Sequence, residues 1–151
     1  MMTSNRKLAI VSLTFAIAGS LLSGYLTYWN LIGPSCHQGP LNWLVSCGGP
    51  KKVLLLGLPT CVYGFAMFLT VFLLSAATVA GKPKKSIIKA LITLGVIGTL
   101  FSSTLIVYEI WILKLTFTGL PACVYGLLFY LGILITNVAA YRRILHEPVG
   151  T

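Results

Sequence analysis

At 151 residues, 57% of them hydrophobic and only 9% charged, this chain lies far from the roughly 25% charged content of water-soluble domains. Its mean hydropathy of +0.93 makes a bilayer its natural solvent. The net charge of +9 counts against nucleic-acid binding, because the cations flank apolar runs and no basic soluble module holds them; it reads as a topological signal plus attraction to anionic lipid.

A spanning helix needs about 20 mostly apolar residues, and four stretches meet that requirement. Span one covers about residues 8–32 and stops at Gly33-Pro34. Its basic start, Asn5-Arg6-Lys7, also suits a secretory signal. The apolar run is longer than a signal core, however, and no small-x-small cleavage site interrupts residues 25–32, so a retained span is expected. A loop at 33–52 follows, carrying Cys36, His37 and Cys47. Inside it, "LNWLVS" at 41–46 puts Leu41, Leu44 and Val45 on one helical face near Trp43, which predicts a short amphipathic helix resting on the membrane surface.

After Gly48-Gly49-Pro50, span two is expected over about 53–80 and contains "GLPTCVYG" at 57–64. Gly81-Lys82-Pro83 separates it from span three, about 87–113, whose Glu109 is the sole acid inside any span. Thr118-Gly119 leads into span four, about 120–141, which begins within "GLPACVYG" at 119–126. The expected fold is an all-α four-helix membrane bundle, one domain over residues 1–151. With four spans, Arg6, Lys7, Lys82, Lys84, Lys85, Lys89, Arg142 and Arg143 share one side, against Lys51, Lys52 and Lys114 on the other. The positive-inside rule then puts both termini in the cytoplasm, that of a prokaryotic plasma membrane, and the loop 33–52 outside.

The octapeptide repeats at an offset of 62, within a longer likeness of spans two and four, and "LLSGYLTYW" in span one echoes "FSSTLIVYE" in span three at an offset of about 80. The chain thus reads as two parallel helical hairpins related by an axis along the membrane normal. Each octapeptide begins a return span: Gly57 and Gly119 allow the tight approach, and Pro59 and Pro121 suit a first helical turn. Cys61 and Cys123 fall at equal depth, about one turn inside the outer surface. They are either small packing residues or a facing pair. Cys36 and Cys47 are either a structural staple or an exchangeable pair, and all four thiols lie on the side where disulfides persist. His37 either supports a thiolate or is a solvated loop residue.

Four segments carry a resemblance over Ser20 to Arg143: "SGYLTYWNL", the loop pair Cys36 and Cys47, "SCGGPKKVLLLGLPTCVYG" and "YEIWILKLTFTGLPACVYG". In these the chain resembles the vitamin K epoxide reductase family, including its bacterial and archaeal quinone-dependent homologues. The resemblance implies a membrane thiol-disulfide oxidoreductase whose loop cysteines take electrons from a thioredoxin-like partner and pass them to an embedded pair beside a quinone. Two departures stand out. Leu120 occupies the place of the first cysteine of the family's Cys-x-x-Cys, and "GGPKKVLLL" lacks an expected serine. Cys61 with Cys123 would replace the missing pair, provided the helices approach to disulfide distance. Tyr63, Phe65, Tyr125 and Phe129 are candidates to flank the quinone ring, and Glu109 to move its protons or else to pair with Lys114. Two other functions fit: a non-catalytic scaffold of the same descent, and a small transporter.

Overall fold

The computed structural model describes residues 2–32, 45–46, 54–55, 57–81, 84–112 and 120–146. Four helices carry the chain: α1 (Met2–Leu31), α2 (Thr60–Ala80), α3 (Lys85–Val107, continued by a π turn at Tyr108–Ile112) and α4 (Ala122–His146). Each holds a stretch long and apolar enough to cross a bilayer, namely Arg6–Leu31, Thr60–Ala80, Lys85–Trp111 and Ala122–Leu145. The chain is an all-α integral membrane bundle. In hydrocarbon every backbone polar group must bond within its own segment, which leaves helices as the available form. Lipid-facing hydroxyls obey the same rule, with Thr14, Thr70, Thr93 and Thr104 each donating to the carbonyl four residues back, at 2.9–3.0 Å.

Span two begins later than expected, at Thr60 instead of about residue 53. The apolar residues before it form a hairpin, with β2 (Leu54–Leu55) antiparallel to β3 (Leu58–Pro59). Gly57 turns the chain with φ +83, a conformation that residues with a Cβ rarely adopt. Pro59, which has no N–H, then sits at the N-cap, one position before the helical turn foreseen for it. Span four likewise starts at Ala122, because β4 (Leu120–Pro121) pairs in parallel with β1 (Val45–Ser46). The expected amphipathic helix therefore does not reach Val45 and Ser46, which are extended; residues 41–44 lie outside the described residues.

Around the bundle α1 packs on α2 and on α4, α3 packs on α4, and α2 meets α3 least. Small residues set these approaches. A Cβ at Gly19 of α1 would overlap the Phe68 ring of α2, and a Cβ at Gly98 of α3 would overlap the Tyr130 ring of α4. The two rings meet across the bundle, stacked with centroids 4.2 Å apart and planes 15° apart. Phe68, Val71, Ser75 and Thr78 are buried on α2, and the positions 62 further on, Tyr130, Ile133, Asn137 and Ala140, are buried on α4. On α1, Ser12, Ala16, Gly19 and Ser23 are buried; on α3 their counterparts are Leu91, Gly95, Gly98 and Ser102, 79 positions on. The buried positions of α1 and α3 thus match at an offset of 79, against the offset of about 80 expected from the sequence.

Below the stack a polar cluster ties three helices together. Asn137 Nδ2 donates to Ser12 Oγ at 2.9 Å and to the Ile133 carbonyl at 2.8 Å, and Ser12 Oγ lies 3.4 Å from Ser75 Oγ. All three side chains are buried and mutually satisfied, as polar groups inside a membrane bundle must be.

Candidate functional site

Cys61 and Cys123 are each the second residue of their helix, α2 and α4. The hairpin before α2 and the β1–β4 ladder before α4 bring both starts to the same end of the bundle, which is why two cysteines so far apart in sequence reach one space. Both line a cavity between the four helices, open in part to its surroundings. The stacked rings of Phe68 and Tyr130 also line it, with Phe101 and Phe129, Leu22, Leu26 and Leu105 as apolar wall. None of the lining residues among those described is charged.

Among the described residues, each thiol has a hydrogen-bonding neighbour from the end of an adjacent helix. Asn30, in the last turn of α1, is held by its bond to the Leu26 carbonyl at 2.8 Å and donates to Cys61 Sγ at 3.8 Å. Cys123 Sγ donates to Glu109 Oε1 at 3.8 Å. Glu109 belongs to the π turn that ends α3 and lies within electrostatic reach of both thiols. A π turn takes in one more residue than an α turn, which redirects the side chains along it. Asn30 and Glu109 are separated by 79 positions, the packing offset of α1 and α3, so the two thiols have matching neighbours of different chemistry: a neutral amide on one, a carboxyl on the other.

Of the residues expected at the site, Cys61, Cys123 and Phe129 line the cavity, and Glu109 touches Cys123. Tyr63, Phe65 and Tyr125 do not line it; Phe65 instead covers Gly24 of α1. Cys61 and Cys123 are both free thiols, so the disulfide expected between them is not formed here. Cys36, His37, Cys47 and Lys114 lie outside the described residues. Sequence reasoning missed Asn30 and Tyr130. A signal for Asn30 existed, an amide closing a span in a chain poor in polar residues. Tyr130 carried none, because an aromatic at helical spacing reads as packing.

Among the described residues, three buried side-chain oxygens have no hydrogen-bond partner: Ser20 Oγ, Thr27 Oγ1 and the Tyr130 hydroxyl. Only Tyr130 among these three lines the cavity. No protein-family model matches the chain, and no curated protein matches it.

Proposed function

We propose that this chain is a membrane thiol-disulfide oxidoreductase of the vitamin K epoxide reductase type, built from two parallel hairpin repeats, in which Cys61 and Cys123 replace the family's Cys-x-x-Cys. The observation that carries this reading is that the two cysteines, on different helices and 62 positions apart, line one apolar cavity with a carboxyl beside one of them. Two shared buried faces, at offsets of 62 and 79, support the repeat. A quinone fits the chemistry of the walls, whose described lining is aromatic and aliphatic with few polar groups.

In this scheme a thioredoxin-like partner gives up two electrons and two protons, its dithiol becoming a disulfide while Cys36 and Cys47 go from disulfide to dithiol. The loop dithiol then reduces a Cys61–Cys123 disulfide by exchange. Oxidising the embedded pair again joins the two sulfurs and releases two electrons and two protons. A quinone, were it bound between the helices, would be the chemical class able to accept both. Glu109 takes the proton that Cys123 gives up, which requires a carboxylate within reach of that sulfur. The β1–β4 pairing supports delivery from the loop: Ser46, the residue before Cys47, pairs with Pro121, two residues before Cys123. Exposed Arg6, Lys7, Lys84, Lys85, Lys89, Arg142 and Arg143 lie near the opposite helix ends, which supports the reading of that side as cytoplasmic and of the thiols as on the oxidising side.

The test is turnover of purified protein in lipid nanodiscs with reduced thioredoxin and menadione. Wild type oxidises the thioredoxin, and Cys36→Ser, Cys47→Ser, Cys61→Ala and Cys123→Ala each stop it while the bundle stays folded. Undiminished menadione reduction in both alanine variants would leave the embedded cysteines as packing residues. A wild type with no turnover would favour the scaffold.

A further inference from the structure

We infer that Gly64 and Gly126 form the slot that admits the ring of a flat apolar ligand, and so determine how wide a ring system the cavity accepts. The two glycines hold equivalent places in the repeat, 62 positions apart, and both line the cavity. On α2, Cys61, Gly64 and Phe68 follow one another at i, i+3 and i+7, which puts them on one helical face; on α4, Cys123, Gly126 and Tyr130 do the same. That face carries the thiols at the helix starts and the stacked rings of Phe68 and Tyr130 about 10 Å further along. Between these levels neither helix contributes a side chain.

The fold does not account for these two glycines. Glycine inside a helix destabilises it relative to alanine, and three other helical glycines have a packing reason: a Cβ at Gly19, Gly98 or Gly132 would run into the ring of Phe68, Tyr130 or Phe15. At Gly64 a Cβ would meet nothing within 4 Å among the described residues, and at Gly126 it would meet Ser102 Oγ at 3.4 Å, an ordinary contact. Backbone conformation gives no reason either, since Gly57 alone among the described glycines has a positive φ. What an added methyl group would take away at both positions is open space inside the cavity.

The other two helices leave the same level thin. Ser102 of α3 faces Gly126, and Ser23 of α1 adjoins Gly24, which is covered by Phe65, the neighbour of Gly64. Both serines are buried and line the cavity. Ser23 turns its hydroxyl back to the Gly19 carbonyl at 2.6 Å, whereas Ser102, 5% exposed, forms no such bond within its helix and aims its Oγ at Gly126. Two glycines and two serines thus leave a gap bounded by aromatic rings on one side and thiols on the other, with one hydroxyl turned into it. Aromatic walls favour a planar occupant, and a lining without charge among the described residues favours a neutral one. Naming that occupant a quinone rests on the redox reading above; the position of the slot does not.

The experiment titrates menadione into wild type, Gly64→Ala, Gly64→Val and Gly126→Ala in nanodiscs and records the melting temperature of each without ligand, with Gly98→Ala as the packing control. Gly64→Ala and Gly126→Ala melt no lower than wild type yet bind menadione roughly tenfold or more weakly, the effect of forcing a methyl group against an occupant, and Gly64→Val binds more weakly still. Gly98→Ala melts lower, because its methyl group strikes the Tyr130 ring. Wild-type affinity in either alanine variant would overturn the slot and leave the quinone reading standing. A lowered melting temperature in either would do the same, by showing that the glycine serves helix packing. Absence of menadione binding to wild type would overturn the slot and the quinone reading together.

Discussion

The contact between Gly19 and Phe68 offers a quantitative test of how the cavity is built. Phe68 is 4% exposed, stacks on Tyr130 at 4.2 Å and meets Phe129 edge-on at 6.3 Å. Truncation to alanine removes roughly 100 Å³ of side chain, and at about 24 cal/mol per Å³ of unfilled void this is worth about 2.4 kcal/mol. Losing the aromatic pairs adds about 1 kcal/mol. The water-to-oil transfer term largely drops out, because separated helices already lie in hydrocarbon. Phe68→Ala should therefore destabilise by about 3 kcal/mol. Gly19→Ala alone drives a methyl group into the ring and should cost about 1–3 kcal/mol as overpacking. In the double variant the same methyl enters the space the ring has left, so the combined loss should fall below the sum by at least about 1 kcal/mol. Reversible unfolding in mixed detergent micelles, followed by circular dichroism, reads all four corners of the cycle. Strict additivity would mean that Gly19 and Phe68 do not touch as described. Because Phe68 is part of the cavity wall, menadione affinity should fall in Phe68→Ala and recover little in the double variant, which separates fold repair from site repair.

Two further outcomes follow from individual hydrogen bonds. Asn137→Ala leaves the Ser12 hydroxyl with only its long contact to Ser75, and should destabilise the bundle by about 0.5–2 kcal/mol in the same unfolding assay; Ser75→Ala, which removes only the 3.4 Å contact, should do less. Glu109→Gln keeps the shape beside Cys123 while removing the proton acceptor, and should slow menadione reduction by roughly 10²–10⁴-fold with unaltered melting temperature. Turnover at the wild-type rate would leave Glu109 without a part in proton transfer.

The four spans were readable because hydrocarbon imposes length and apolarity on every segment that crosses it, and few residues escape that demand. Their ends were less so. "VLLL" at 53–56 is as apolar as the span it precedes, and only the geometry of Gly57-Leu58-Pro59 reveals that Leu54 and Leu55 fold back as a strand. The offset of 62 was visible because the octapeptide repeats nearly letter for letter. The likeness of α1 and α3, expected at an offset of about 80, is weak in letters: at an offset of 79 Ala16 answers Gly95 and Ser12 answers Leu91, residues alike in burial and unlike in identity. Cys61, Cys123 and Glu109 were found by chemistry, as the rare reactive groups of an apolar chain. Tyr63 and Tyr125, inviting because they repeat, do not line the cavity, whereas Tyr130 and Asn30 became legible only through their neighbours.

The slender contact of α2 with α3 has a consequence for traffic. Three sides of the bundle are closed by glycine-fitted rings and interlocked side chains, but this fourth side has the fewest groups to part. A ligand dissolved in the bilayer would reach the thiols sideways through that seam, never crossing water. Its occupancy would then follow its concentration per area of membrane, so that a long isoprenoid tail, trailing out between the helices, would act as a leash holding the head group near its door.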